Sequence, residues 1–345
     1  MKNISSTRFS PAGIFGITAL AFLAVVAVFF GYVLLLAFAG ILLAVFFDGI
    51  SAYLARWTRL PRGATFTLVV TLFLALMGAA ALRFGPLFLD GINQLADTIR
   101  HYADDISNLA SEREWAKALF SEGGSGGSLV TSAFSTAAGL LGTATWVISA
   151  GLIILFTGIY LAAEPGVYTG ALRSLFPERH REELQQALRT LQSTLHWWLI
   201  GRIASMLVVG ILTWTGLLVL DVPLAFTLAL LAALLSFIPN LGPVLSAVPA
   251  GLVGLEQSVT TAIYVIILYV AVQTVESYFI TPLIQRRAVR LPPALVITMQ
   301  VLMAFAYGTL GLLVATPLTV VAVVLVKVIY LPRRNATNAQ QEEGA

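Results

Sequence analysis

Glu276 is the residue whose position most directly suggests chemistry. It lies in the apolar run Ser258–Ile280, which holds no other Asp, Glu, Lys, Arg or His, and Gln273 stands one turn before it. A carboxylate inside a membrane-crossing segment costs several kcal/mol to bury, so such residues commonly bind an ion or a substrate. The alternative is an interfacial ion pair with Arg286 or Arg287, because Glu276 is only about one turn from the end of the run.

A second chemical feature is the segment 236–243, which reads SFIPNLGP. Pro239 and Pro243 have no N–H, and Gly242 tolerates a positive φ, so helical hydrogen bonding must break here. Broken backbone at membrane depth is tolerated only where protein or a water-filled cavity surrounds it. Freed carbonyls and the Asn240 amide could then bind a cation or a polar solute, whereas the alternative is a helical turn that serves packing alone. The sequence thus predicts a substrate or ion site made of Pro239, Asn240, Gly242, Pro243, Gln273 and Glu276.

A third feature, the segment 307–317, reads YGTLGLLVATP and favours a structural role. Gly308 and Gly311 allow a tight turn or close helix packing, and Pro317 imposes a kink. Pro282 follows Glu276 closely and also interrupts a helix. We therefore predict that these four residues act as hinge or packing positions.

Other motifs point away from an enzyme. The stretch 123–127, GGSGG, matches the G-x-S-x-G nucleophile pattern, but that motif needs a strand-to-helix turn and a histidine partner. Here it lies in a Gly/Ser-rich linker, and the chain has only three histidines and no cysteine. Phosphate-loop and H-E-x-x-H patterns are absent from the sequence as well. We expect no catalytic activity, no metal, no cofactor and no nucleic-acid partner.

The elements that carry these residues are membrane helices. Hydrophobic residues make up 58% of the 345-residue chain and charged residues 11%, against about 25% charged in a globular protein. A membrane crossing needs about 20 apolar residues. The run Ala12–Phe47 would be about 54 Å long as a helix, so we expect two crossings that divide near Gly31. Single crossings are expected at Thr65–Leu82, Trp146–Ala163, Ile203–Leu220 and Ser258–Ile280, and Gly- or Pro-broken segments at 224–255 and 294–329.

The pattern predicts an all-α polytopic membrane protein with about eight membrane helices, including broken or re-entrant hairpins. Basic residues set its orientation, since cytoplasmic loops are enriched in Lys and Arg. With the N-terminus inside, only four of the 20 basic residues lie outside, namely Arg83, Arg100, Arg113 and Lys117. This topology requires 224–255 to enter and leave from the outer side, with the tip Pro239–Pro243 pointing inward. Both termini are then cytoplasmic, and the compartment is the inner membrane.

The domain organisation follows from the charged segments. We expect N-terminal membrane helices over 1–82, an extracytoplasmic amphipathic helical segment with a Gly/Ser linker over 83–145, a second membrane domain over 146–330 and a cytoplasmic tail over 331–345. A cytoplasmic helix is expected at 178–198. In the extracytoplasmic segment an apolar stripe recurs at steps of four and three, and it is expected to pack on the protein's own surface or against a neighbouring subunit. The stripe comprises Phe88, Ile92, Leu95, Ile99, Tyr102, Ile106 and Leu109.

Three motifs together resemble one family. The order FIPNLGP…AVPA, then VESYFITPLIQRRAVRLPPAL, then GTLGLLVATPL is similar to that of the AI-2E family of bacterial membrane proteins. The resemblance implies an inner-membrane permease that forms a homo-oligomer, with a pentamer as one expected assembly, and activities that include export of autoinducer-2 and sodium/proton antiport. This sequence has Asn240 where many members place an aromatic residue, and Arg286-Arg287 in place of a turn that contains more glycine.

The sequence therefore predicts a secondary carrier or exporter of a small solute such as a signalling molecule, or a cation/proton antiporter with Glu276 as the titrating or ion-binding group. Its partners would be the lipid bilayer and a small solute, a monovalent cation or a proton. Two other functions stay open at this stage: a passive oligomeric channel, and a membrane scaffold or assembly protein. The substrate, the coupling ion and the direction of transport are not encoded in any recognisable motif.

Overall fold

A computed structural model describes residues 11–112, 144–178, 181–282 and 291–330 of the chain. Within these ranges the protein is all helical and contains no strand, which confirms the predicted fold class. The helices are α1 (Pro11–Thr58), α2 (Arg62–Glu112), α3 (Ala144–Ala163), α4 (Pro165–Ser174), α5 (Arg181–Val219), α6 (Ala225–Leu235), α7 (Leu241–Gln257), α8 (Val259–Val275) and α9 (Pro293–Leu325). Short π-helical turns extend α8 over Glu276–Ile280 and α9 over Val326–Tyr330.

Five of the described helices are long and apolar enough to cross a membrane. A sixth span results if α3 and α4, which meet at an 81° bend, count as one broken crossing. The chain is therefore a multi-pass membrane protein, but the expected number of about eight membrane helices is not confirmed by this count. The five are Phe30–Thr58, Arg62–Tyr102, Arg181–Val219, Val259–Ile280 and Pro293–Val328.

The division of the first apolar run near Gly31 is wrong. Helix α1 continues without interruption over 48 residues from Pro11 to Thr58. The run 12–47 contains no proline, so no residue in it removes a helical hydrogen bond. Hydrophobic length alone suggested two crossings, but length does not break a helix.

Helix α2 is likewise continuous through the expected border between 82 and 83, and its amphipathic part packs on the same chain. Ile92, Leu95 and Ile99 of the predicted stripe are buried, and Leu95 and Ile99 share a hydrophobic core with α5, α6, α7 and α8. Asp90 and Asp97 are exposed on the other face. Of the two expectations for this stripe, packing on the protein's own surface is the one that the structure shows. Ile106 and Leu109 have side chains outside the described residues.

Helices α6 and α7 form a hairpin whose tip is 236–240. With 11 and 17 residues, they are about 16 and 25 Å long, and each is shorter than a hydrocarbon core of about 30 Å. The tip is a series of tight turns, in which the Ile238 N–H bonds to the Leu235 carbonyl and the Gly242 N–H to the Ile238 carbonyl. The two broken halves expected in 224–255 are thus a pair of short helices.

Helix α9 is also a hairpin, folded at Gly308. Gly308 has φ 62° and ψ −143°, a conformation that is essentially confined to glycine. In a straight helix Gln300 and Thr316 would be about 24 Å apart, yet the Gln300 amide lies 3.4 Å from the Thr316 hydroxyl. The arms 293–307 and 309–325 therefore run back along each other. Of the tight turn and the close packing that the two glycines allow, the structure has the turn at Gly308 and close packing at Gly311.

Candidate functional site

A cavity of about 310 Å³ lies where the hairpin tip, the π turn after α8 and the start of α9 meet α5. Its volume falls at the lower end of the range typical of small-molecule sites. Five of the six residues predicted as the substrate or ion site line it, although they come from separate parts of the sequence. The cavity is lined by Trp198, Arg202, Ser236, Pro239, Asn240, Pro243, Gln273, Glu276, Ser277, Thr281, Leu291, Pro293, Val296 and Thr316.

Glu276 is held in this cavity by donors from two helices. Its Oε1 accepts a hydrogen bond from the Ser205 hydroxyl at 2.7 Å and lies 3.3 Å from Arg202 Nη1. Its Oε2 accepts from the Gln273 amide at 3.1 Å. The side chain is only 9% exposed, so each of these bonds forms in a poorly hydrated environment, where it is stronger than in water. The carboxylate is thereby fixed in place by three donors.

The backbone at Glu276 is irregular. Glu276 begins a π-helical turn, in which the Thr281 N–H bonds to the Glu276 carbonyl five residues earlier. Such a turn accommodates an extra residue in a helix, and π-turns occur frequently at functional sites. Ser277 and Thr281 in and beside this turn line the cavity together with Glu276.

Arg202 connects α5 to both the hairpin tip and Glu276. Its Nε–H donates to the Phe237 carbonyl at 3.1 Å, its Nη2 donates to the Ser236 carbonyl, and its Nη1 faces Glu276. These carbonyls follow the end of α6, where the helix leaves its last carbonyls without intrahelical partners. The guanidinium therefore satisfies the broken backbone and neutralises the buried carboxylate at the same time.

Gln300 makes the corresponding contact from α9. Its side chain is completely buried, and its amide N–H donates to the Pro239 carbonyl at 2.9 Å. The amide also approaches the Thr316 hydroxyl on the other arm of α9. The amide oxygen Oε1 is buried without a hydrogen-bond partner. Gln300 thus ties the tip of one hairpin to the two arms of the other.

The predicted residues of the tip have different tasks. Asn240 is exposed to the cavity and has φ 67°, a positive value that asparagine adopts more readily than most residues. Gly242 does not line the cavity, because it is buried against the Leu235 carbonyl, with which a Cβ atom would overlap. Pro239 and Pro243 line the cavity. Gly242 is therefore a close-packing residue that shapes the tip.

The four hinge or packing residues lie around the site and outside the cavity lining. Gly311 and Pro317 are buried in the second arm of α9, where Gly311 contacts the Met303 carbonyl across the hairpin. Pro282 is exposed at the last described residue before 291. Arg286 and Arg287, the alternative partners of Glu276, lie outside the described residues.

Sequence reasoning missed the polar partners on neighbouring helices. Arg202, Ser205 and Gln300 all contact predicted site residues or the tip carbonyls. Arg202 was counted as one more cytoplasmic charge, although it stands directly before an uncharged run and one turn after the aromatic pair Trp197-Trp198. That position is the sequence signal that indicates an arginine at the membrane boundary. Ser205 and Gln300 carried none, because uncharged polar residues are common in membrane helices.

Most of the chain is similar in sequence to bacterial proteins that are named as transport proteins. The sequence model described as AI-2E family transporter matches residues 17–331. The chain is 25% identical over 277 residues to YueF of Bacillus subtilis (strain 168), which covers 75% of this chain and 74% of that protein. It is 24% identical over 285 residues to the AI-2 transport protein TqsA of Escherichia coli (strain K12), with 81% of each chain covered. It is 21% identical over 324 residues to a Thermotoga maritima protein, with 92% of this chain and 95% of that protein covered.

Proposed function

The chain belongs to the AI-2E transporter family, and we propose that it is a secondary carrier that binds a small solute in the cavity between Arg202, Asn240 and Glu276. The observation that supports this most directly is the construction of the cavity. Two hairpins made of short, Gly- or Pro-interrupted helices meet there, which is how secondary transporters build their binding sites. Uncharged donors and acceptors complete its lining.

The geometry favours a solute over a bare monovalent cation. The tip carbonyls that a cation would need already accept hydrogen bonds, since those of Ser236 and Phe237 accept from Arg202 and that of Pro239 accepts from Gln300. A positive guanidinium also stands beside them. A cation or a proton enters the proposal as the coupling ion, whose gradient drives the solute.

We further propose that the hairpin formed by α6 and α7 is the moving element. Its tip is joined to α5 through Arg202 and to α9 through Gln300, while its arms lie against α2, α5 and α8. Rocking of such a unit against the rest of the protein would expose the cavity to one side of the membrane at a time. The positive-inside pattern supports a cytoplasmic location for the tip and for both termini in an inner membrane.

The test is flux into proteoliposomes under imposed proton or sodium gradients. Labelled ribose, succinate and ²²Na⁺ form the first panel, and autoinducer-2 joins it because the relative TqsA is named as an AI-2 transport protein. We expect uphill accumulation of at least one organic solute, which Glu276→Gln and Asn240→Ala reduce at least tenfold. Glu182→Gln, an exposed carboxylate on α5, is the matched control and should leave flux unchanged.

Two results would contradict the proposal. Conductance that no second gradient can drive uphill would indicate a passive channel. Unchanged coupled flux in both Glu276→Gln and Asn240→Ala would show that the solute does not bind in this cavity.

The expected homo-oligomer also belongs to the proposal. Residues 71–90 of α2 are exposed on nearly all sides of the helix, including Leu72, Leu76 and Leu82. Lipid or a second copy must cover this apolar surface in the membrane. Chemical cross-linking in native membranes followed by mass determination would give the number of copies.

A further inference from the structure

The two charged side chains that line the cavity differ in how completely they are hydrogen-bonded. Among the described residues, the ionisable groups that line it are Arg202 and Glu276. Glu276 already has both oxygens engaged, because Oε1 accepts from Ser205 and Arg202 and Oε2 accepts from Gln273. A second cation has little to gain from a carboxylate that is satisfied in this way.

Arg202 still has donors to offer. A guanidinium carries five N–H groups in a rigid fork, and the Phe237 carbonyl, the Ser236 carbonyl and Glu276 each take one. One N–H on Nη1 and one on Nη2 have no acceptor among the described residues, on a side chain that lines the cavity and is 11% exposed. Its contact with Glu276 is a single bond at 3.3 Å, whereas an arginine that binds a carboxylate with both arms of the fork makes two bonds of about 2.8 Å. The arginine is thus anchored by the hairpin tip and incompletely paired.

One helix N-terminus adds positive potential at the same cavity. Helix α9 begins at Pro293, which lines the cavity, and its start has no side-chain cap and no acidic residue in its first turn. The N–H groups of Leu241 and Gly242 at the start of α7 already donate to the Pro239 and Ile238 carbonyls. The N-terminal end of a helix carries about half a positive charge. Among the described residues, an occupant therefore meets one guanidinium and the start of α9, against one carboxylate that already accepts three hydrogen bonds.

We infer that the cargo of the cavity is a small organic anion, bound through its carboxylate or phosphate to Arg202 in place of Glu276. This inference rests on the proposed carrier function and names the class of its substrate. The anion accepts from Nη1 and Nη2 of Arg202 and displaces the long contact between Nη1 and Glu276. Glu276 keeps its bonds to Ser205 and Gln273, so it acts as a resident counterion when the cavity is empty.

The experiment is calorimetric titration of the purified full-length protein in lipid-free detergent, with acids and their isosteric amides as probes. The pairs are acetate and acetamide, benzoate and benzamide, and succinate and succinamide. We expect at least one acid to bind at least tenfold more tightly than its amide. Glu276→Gln should tighten that acid at least fivefold, because it removes the competing negative charge and keeps an oxygen that can accept from Ser205.

Arg202→Gln should abolish binding of the acid, and Arg202→Lys should retain part of it, because a lysine offers charge without the bidentate fork. Arg189→Gln, which removes an exposed arginine on the same helix, is the control for net charge and should bind as the wild type does. If Arg202→Gln does not fold, Glu276→Gln and the acid–amide comparison still decide the question.

Three outcomes would overturn the inference: no acid binds better than its amide, Glu276→Gln weakens acid binding, or phosphatidylglycerol binds in the cavity while no soluble acid does. The last would assign the site to a lipid phosphate. In each of these cases, uphill flux of ribose in proteoliposomes would leave the carrier function standing. If the wild-type protein bound an acid but showed no coupled flux of any solute in proteoliposomes, the carrier function alone would be refuted.

Discussion

The contribution of burial to the Arg202–Glu276 pair can be measured against a second pair in the same protein. The two atoms of the buried pair, Arg202 Nη1 and Glu276 Oε1, are 3.3 Å apart, and those of the Arg181–Glu178 pair are 3.4 Å apart. The side chains are 11% and 9% exposed in the first pair and 41% and 89% exposed in the second. Because the separations are nearly equal, the comparison isolates the effect of the surroundings.

Coulomb's law gives the expected scale. With an effective dielectric constant of about 20, two unit charges at this separation attract by about 5 kcal/mol, and in bulk water by about 1 kcal/mol. Desolvation offsets much of the gain for a buried pair. We therefore expect a coupling energy of about 2–3 kcal/mol for Arg202–Glu276 and below about 1 kcal/mol for Arg181–Glu178.

A double-mutant cycle measures both couplings. Arg202→Met, Glu276→Leu and the double variant form the first cycle, with reversible unfolding in mixed micelles as the assay. Each single variant should lose about 3–5 kcal/mol of unfolding free energy, because its partner is left as an uncompensated buried charge. The bonds from Arg202 to the carbonyls of Ser236 and Phe237 are lost in the single and the double variant alike, so they cancel in the coupling energy.

The matching cycle uses Arg181→Met and Glu178→Leu. If both cycles gave the same coupling energy, or if the buried cycle gave less than about 1 kcal/mol, the reasoning would be refuted. Such a result would mean that water screens Arg202 and Glu276 as it screens the surface pair, and the cavity would lose its claim to be a low-dielectric binding site.

Three further predictions concern the two hairpins. Gly308→Ala should lower the free energy of unfolding by about 1–3 kcal/mol, because alanine is strained at φ 62°, ψ −143°. The control Gly78→Ala in α2, where a Cβ meets open space, should not lower it. Differential scanning fluorimetry measures both variants. Asn240→Gly should keep the stability that Asn240→Ala loses, because glycine also adopts the positive φ of 67°, but it should lose coupled flux as Asn240→Ala does, because both lack the amide that faces the cavity; normal flux in Asn240→Gly would show that position 240 serves the backbone turn alone. Gln300→Met should change the free energy of unfolding by no more than about 1 kcal/mol, because the loss of the bond to Pro239 is offset by the removal of an unpaired buried oxygen. The same variant should reduce coupled flux at least tenfold. A normal flux would show that this link between the hairpins is not needed for transport.

Local breaks in the helices were predictable because their causes are local. Proline removes a hydrogen bond within its own turn, and glycine alone adopts the backbone angles seen at Gly308. The hairpin tip at 236–240 and the fold-back at Gly308 therefore lie where the residues indicate them, whereas Pro249 and Pro317 lie inside α7 and α9 and do not end these helices. The division of the first apolar run failed for the same reason: no residue in it breaks a helix, and α1 continues through Gly31.

The composition and order of residues determined that this chain is an all-helical multi-pass membrane protein of the AI-2E family, and that Glu276 and the tip at Pro239–Pro243 are its unusual points. Only the tertiary structure decided what they meet. Arg202 lies 74 residues from Glu276, and Gln300 lies 61 residues from Pro239. No local periodicity relates residues so far apart, because their proximity depends on how the hairpins pack against α5. That packing places the Glu276 carboxylate, the Arg202 guanidinium and the start of α9 around one cavity.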